Sequence, residues 1–267
     1  MPANAVSKIQ VRFNRLTSTE VHSSRLHHLH RVKLFSAALC HVTQGSKVIV
    51  QDEKRLVATS RSLIILPANT ELEIINQPEN GFFNSDLLLL SPEVLSRFKQ
   101  HYLHSVMPGQ LTSLCAPFST DLAFLWSGVL NAVRDNLSLS VQEHLVMGLL
   151  LVLHQEGLAG PLLIEPRFNL TEQVRQLILL APATPWSVDD VASQLSLGAS
   201  TLRRRLQNEG QNFRQIVEEV RMACALSLLQ STRLPVADVA LKCGYLSGSR
   251  FTARFQNHYG CLPKNIR

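Results

Sequence analysis

Three consecutive arginines, Arg203, Arg204 and Arg205, stand between Leu202 and Leu206 in the last third of the chain. A guanidinium presents five N–H donors in a planar fork, which suits the O6/N7 edge of guanine and the oxygens of a phosphate. Leu202 and Leu206 are one helical turn apart and share a face. At about 100° per residue, Ser200 and Arg204 lie on the opposite side, with Arg203 and Gln207 on the flanks. Ser200 and Arg204 are therefore expected at base edges, and Arg203, Arg205 and Gln207 at phosphates. Taken alone, an arginine triplet is more often a solvated helix face, so its surroundings decide the matter.

A second set follows about fifty residues later. Phe251 and Phe255 form the inward pair, which leaves Ser249 and Ala253 outward and Arg250 and Thr252 partly so. Ser249 and Arg250 are expected at base edges, and Thr252 and Arg254 at phosphates. Ala253 occupies the outward position that carries Arg204 in the first set. The second helix is accordingly expected to contribute affinity more than base readout.

The elements that must position these groups are legible as a tandem pattern. Val188–Ser196 leads into the first arginine helix and Val236–Gly244 into the second. In each copy a small residue (Ala192, Ala240) precedes a small turn residue (Ser196, Gly244) by four positions. Small residues let two helices cross closely at a sharp turn, and the apolar pair pins the second helix on the first, as a helix-turn-helix unit requires. Residues 212–230 put Phe213, Ile216, Val217, Val220 and Cys224 on one face of a predicted rod of nineteen residues, about 28 Å long. That length approaches the 34 Å or so of one DNA turn. Residues 171–180 read as a support helix that ends near Pro182 and Pro185.

The first ninety residues read as short strands. Val32–Val42, Lys47–Gln51, Arg55–Ala58, Leu63–Leu66, Glu71–Ile75 and Phe82–Leu90 are separated by polar turns, a spacing that suits a small barrel or sandwich. Ser91-Pro92-Glu93 marks a helix start, and 118–156 carries two stripes at helical spacing. Gly157, Gly160, Pro161 and Pro166 mark 157–168 as a linker. This gives an α+β chain: 1–156 a sensing and dimerisation domain (helices over 91–156), then the linker, then 169–267 an all-α domain. Charge divides in the same way. From Thr171 onward there are twelve Lys/Arg against seven Asp/Glu, whereas residues 1–170 hold fourteen against thirteen. The net charge of +6 therefore sits almost wholly beside the tandem pattern, where it favours phosphate attraction.

From Leu234 to Pro263 the chain follows the frame P-hydrophobic-x-x-hydrophobic-A-x-x-x-G-aromatic-x-S-x-S-x-F-x-x-x-F-x-x-x-aromatic-G-x-x-P almost throughout. In this stretch, and in 206–222, it resembles the AraC/XylS family of bacterial transcription regulators, particularly the branch of stress and virulence regulators. The resemblance spans about Trp186–Arg267. It implies two recognition helices in successive major grooves of double-stranded promoter DNA, with Arg204 at the family's base-reading position. It further implies a cupin-like jelly-roll barrel with flanking helices, a homodimer formed through 118–156, contact with RNA polymerase, activation, and a small-molecule effector. Arg31, Lys33 and Arg61 are the bases expected to meet an anionic effector. The alternative is an antagonist that heterodimerises with a related regulator and binds DNA weakly.

Other chemistries fit less well. His28-Leu29-His30 is similar to the His pair of enzymatic cupins, but no Glu follows within Arg31–Ser36, so a solvated His cluster is expected and no metal site. The five cysteines are scattered with no C-x-x-C, against a disulfide frame, a structural zinc or the cysteine cluster of AraC-type alkylation-repair proteins. No nucleotide loop, nucleophile elbow or zinc-protease motif is present, so no catalytic residue, cofactor or enzyme activity is expected. No spanning apolar run or signal peptide is evident, which suits a cytoplasmic protein without membrane contact.

Overall fold

A computed structural model of the chain describes residues 16–51, 53–102, 113–164 and 169–266. These fall into two compact units, one of 16–28 with 34–164 and one of 29–33 with 169–266.

The strands of the first half are β1 (Thr17–Ser23), β2 (His27–Lys33), β3 (Ala38–Gln44), β4 (Ser46–Gln51), β5 (Lys54–Ala58), β6 (Ser62–Leu66), β7 (Glu71–Gln77), β8 (Phe83–Leu89) and β9 (Cys115–Pro117). They form a five-stranded sheet in the order β1-β8-β3-β6-β9 and a four-stranded sheet in the order β2-β7-β4-β5, the cupin-like arrangement of antiparallel sheets. Strand alternation sends Leu39, Leu63, Ile65 and Leu88 to one face, where they join the apolar cluster of α1 (Pro92–Tyr102), α2 (Thr120–Arg134) and α3 (Leu139–Gln155). The opposite parity (Ala38, Cys40, Val42, Ile64, Leu66) is buried as well. A sheet covered on both faces reads as continuous apolar runs rather than alternation.

That double burial explains where strand boundaries depart from expectation. The predicted strand Val32–Val42 is two strands, β2 and β3, interrupted over 34–37. The break is held by Asn69 donating its N–H to Leu34 O at 2.7 Å and Leu90 to Ala37 O at 2.8 Å. Two strands went unpredicted. The polar edge strand β1 pairs with β8 from Thr17↔Leu89 to Ser23↔Phe83, and the three residues of β9 pair with β6. The stretch read as a linker from Gly157 contains a short helix, α4 (Gly160–Leu163), with Pro161 and Leu162 buried. Burial of these side chains outweighs the loop composition. The rest of that linker, 165–168, lies outside the described residues.

Apart from 29–33 of β2, the second unit is helical: α5 (Leu170–Leu180), α6 (Val188–Gln194), α7 (Ala199–Asn208), α8 (Phe213–Ser231), α9 (Val236–Lys242), α10 (Gly248–Tyr259) and a closing 3₁₀ turn over Pro263–Ile266. Val174, Ile178, Ile216, Val220, Ala225 and Leu229 are buried on α5 and α8. No helix among the described residues is long and apolar enough to cross a membrane. The five cysteines are free, and burial pushes the thiols of Cys224 up to about 11 and Cys243 up to about 12.

Candidate nucleic-acid interface

The two small-residue turns fold alike. In the first unit Ser196 takes a left-handed conformation (φ 55) and the next N–H, of Leu197, donates back to Ala192 O at 2.8 Å. In the second, Gly244 is left-handed (φ 81) and Tyr245 N–H donates to Ala240 O at 2.9 Å. Such a reversal needs positive φ, which explains why short residues stand there. The copies then differ by one residue. Gly198 caps α7 two positions after Ser196, while Ser247 caps α10 three positions after Gly244. The extra residue is Leu246, 96% exposed.

Counted from their caps, the recognition helices match residue for residue. Leu202 and Leu206 correspond to Phe251 and Phe255, and all four are buried. Ser200, Arg203, Arg204, Arg205 and Gln207 are exposed on α7, which puts the first expected set together on the solvent side of one helix. On α10, Ser249, Arg250, Ala253 and Arg254 are exposed and Thr252 half-buried. Ala253 is the counterpart of Arg204. Arg254 is not a free cation, because its Nη1 lies 3.5 Å from Glu218 Oε1 on α8.

Each helix is held by groups that sequence patterning left unassigned. Ser187 and Asp190 cap α6 reciprocally, the Asp190 N–H donating to Ser187 Oγ at 3.1 Å and the Ser187 N–H to Asp190 Oδ2 at 3.0 Å. The Ser187 hydroxyl, donating to the same Oδ2 at 2.5 Å, and then the Ser187 N–H hold the Asp190 carboxyl below the usual range. The C-terminal end of α7 is tied to the start of α5 by Glu209, which accepts from Leu170 N at 3.1 Å, Thr171 N at 2.9 Å and Thr171 Oγ1 at 2.6 Å. Burial pushes Glu209 up, but these hydrogen bonds and Arg205 outweigh it and the carboxyl ends lower than usual. Glu172 and Arg175 on α5 form a buried pair at 2.7 Å, with Glu219 3.8 Å from Arg175. The S/T-x-x-D spacing of Ser187 was a readable signal; the long-range partners of Glu209 were not.

Of the bases expected at an effector, Arg31 and Lys33 lie on β2 and Arg61 in the turn before β6. Lys33 Nζ is 3.3 Å from Glu219 Oε2, which engages its charge, while Arg31 and Arg61 are exposed. A buried lysine of the strand-bearing unit, Lys47, donates to Asn76 Oδ1 at 2.8 Å and lies 5.1 Å from the Phe83 ring. Burial pulls its ammonium below the ordinary lysine range, with the Cys40 thiol acting the other way. Its parity with Ile49 along β4 was the available signal. A cavity of about 750 Å³ opens beside Ser24, Arg25, Gly45, Ser46, Thr59 and Gln77. His28, expected to be solvated, hydrogen-bonds the Glu73 carboxylate on β7; the acid that sequence reasoning sought just after the His pair comes from a distant strand.

The second half of the chain thus carries two helix-turn-helix units with exposed second helices, joined by one long helix. Residues 191–267 match a helix-turn-helix domain family. The urease operon transcriptional activator of Escherichia coli is 36% identical over 155 residues, 51% of this chain and 52% of that protein. The virulence regulon transcriptional activator VirF of Shigella flexneri is 29% identical over 112 residues, 42% of this chain and 43% of that one. The chain thus aligns with about half the length of the curated relatives it matches. Crystalline ToxT of Vibrio cholerae, bound to an unsaturated fatty acid, shares the fold with a TM-score of 0.67 over 94% of each chain at 14% identity.

Proposed function

We propose that this protein is a cytoplasmic, sequence-specific transcription regulator that activates promoters by inserting α7 and α10 into successive major grooves. The observation that carries the reading is the paired geometry: two matching left-handed turns, each presenting a helix with a buried apolar pair and an exposed basic or polar face. The transcription activators among its relatives support the direction of control. RNA polymerase is the partner this function requires. The experiment is a binding titration of the full chain against a duplex selected from a random library and against unselected duplex, between about 50 and 200 mM salt. A groove reader loses affinity steeply with salt for both while keeping its preference for the selected site. Affinity that is flat with salt, or equal for both duplexes, would overturn the reading and favour the heterodimerising antagonist.

The first unit, on this reading, holds a small effector in the cavity beside Arg25 and Gln77. An unsaturated fatty acid is the first probe, since the structural neighbour was crystallised with one; a raised melting temperature of the full chain supports that class of ligand, and an unchanged one removes it. The stretch 118–156 also carries exposed apolar side chains, Phe124 (75% exposed) on α2, Leu137 in the connection to α3, and Leu139 and Val141 at the start of α3. A homodimer through this stretch accounts for them. Phe124→Glu is expected to convert a dimer to a monomer in equilibrium sedimentation at tens of micromolar with an unchanged melting temperature. A wild-type chain that is already monomeric there counts against the dimer.

A further inference from the structure

The long helix fixes the distance between the two helix-turn-helix units, but a rod does not by itself fix rotation about its ends. It is entered through the loop at 209–212 and left through Thr232, which is extended (φ −135, ψ 163). Inserting one base pair moves a half-site by about 3.4 Å and turns it by about a tenth of a helical turn. A reader that depends on both helices therefore needs a brace against rotation.

Arg221, midway along α8, supplies the contacts for one. Its Nε donates to Pro182 O at 3.0 Å and its Nη2 to Thr184 O at 2.9 Å. Both carbonyls lie in the segment that leads into α6, part of the first helix-turn-helix unit. The same guanidinium lies 5.8 Å from the ring centroid of Tyr245, in the turn of the second unit. The two units are closely apposed at this point. A Cβ built on Gly244 would stand 2.8 Å from Arg221 Nη2 and 2.9 Å from Pro182 O. One side chain on α8 thus holds the approach to the first helix-turn-helix unit and the turn of the second. A groove of about 870 Å³ opens beside it, lined by Trp186, Phe213, Arg214, Tyr245 and Arg250 among others.

We propose that Arg221 is the positioning residue that sets the half-site spacing the two recognition helices read. This rests on the DNA-binding function proposed above. The residue type matters for a physical reason. A planar fork reaches two carbonyls from separate nitrogens and presents a face to an aromatic ring, whereas a lysine ammonium keeps the charge but gathers its donors on one nitrogen and has no planar face.

The discriminating variant is therefore Arg221→Lys, which leaves net charge and the salt dependence of binding unchanged. Duplexes are selected from a random library with the wild-type chain, and versions with one base pair inserted or deleted between the half-sites are titrated with both proteins. The wild type is expected to lose ~10-fold or more in affinity on either change, about 1.4 kcal/mol. Arg221→Lys is expected to lose roughly threefold or less on either change, at the same salt slope. Tyr245→Leu, which removes the ring and leaves the carbonyl bonds in place, is expected to fall between them, and it decides the matter if Arg221→Lys does not fold. An equal spacing penalty in wild type and variants overturns the assignment, as does a wild type indifferent to spacing. A wild type that selects no duplex at all instead overturns the DNA-binding reading beneath it.

Discussion

Arg204→Ala is expected to reduce discrimination between the selected duplex and a random one by about five- to 150-fold, equivalent to roughly 1–3 kcal/mol. Leu202 and Leu206 are fully buried, so the helix cannot roll and Arg204 stays on the outward line. A bidentate pair with guanine is lost in the variant, while the phosphate contacts from its neighbours remain. Arg203→Ala, by contrast, is expected to weaken binding to all sequences alike and to reduce the salt slope by about one. The second helix offers the internal comparison. Ala253 holds the place of Arg204 there, and Arg254 is drawn toward Glu218. Arg254→Ala should therefore lower affinity slightly and leave discrimination intact. Quantitative titration of the three variants against both duplexes is the measurement. Similar loss of discrimination in Arg204→Ala and Arg254→Ala would sink the unequal roles of the two helices.

How much of this was legible depended on how far apart the interacting residues lie. The helical half was read closely because its determinants are local. Ala192 and Ser196, Ala240 and Gly244, and the i, i+4 apolar pairs all act within one or two turns, and the nineteen-residue rod was displaced by a single position. In the sheet half the determinants are cross-strand partners. Thr17–Ser23 is polar and becomes a strand only because β8 offers an edge. Gly160–Leu163 has loop composition and becomes a helix because its apolar residues are buried. Among site residues, the exposed faces of α7 and α10 followed from periodicity. The partners of Lys33, Arg254 and His28 lie far away in sequence (Glu219, Glu218 and Glu73), and no spacing rule reaches them. The same holds for Arg221, which sits beside Val217 and Val220 in the pattern and reveals its role only through carbonyls 37 and 39 residues away.

The two left-handed turns provide the second large expected effect. Gly244→Ala is expected to destabilise the second unit by about 2–4 kcal/mol, from the left-handed conformation and from overpacking together. Ser196→Gly at the matching turn is expected to leave stability within about 1 kcal/mol of the parent, or to raise it. Both positions have positive φ (81 and 55), so backbone strain alone predicts a cost of one sign at one site and of the other sign at its counterpart. The difference in size comes from space. Ser196 is exposed, whereas a Cβ on Gly244 meets the Pro182 carbonyl at 2.9 Å, a backbone atom that cannot swing aside. Urea unfolding of the two variants decides it, and comparable losses in both would mean that the second turn is no more crowded than the first. The double variant Gly244→Ala with Arg221→Lys sharpens the point. Removing the guanidinium takes away the 2.8 Å overlap but not the one with Pro182. Its cost is therefore expected to be smaller than the two single costs combined, the signature of residues in direct contact. Simple additivity would show that the guanidinium adds nothing to the crowding at Gly244, leaving the backbone angle and the Pro182 carbonyl as the reasons for glycine.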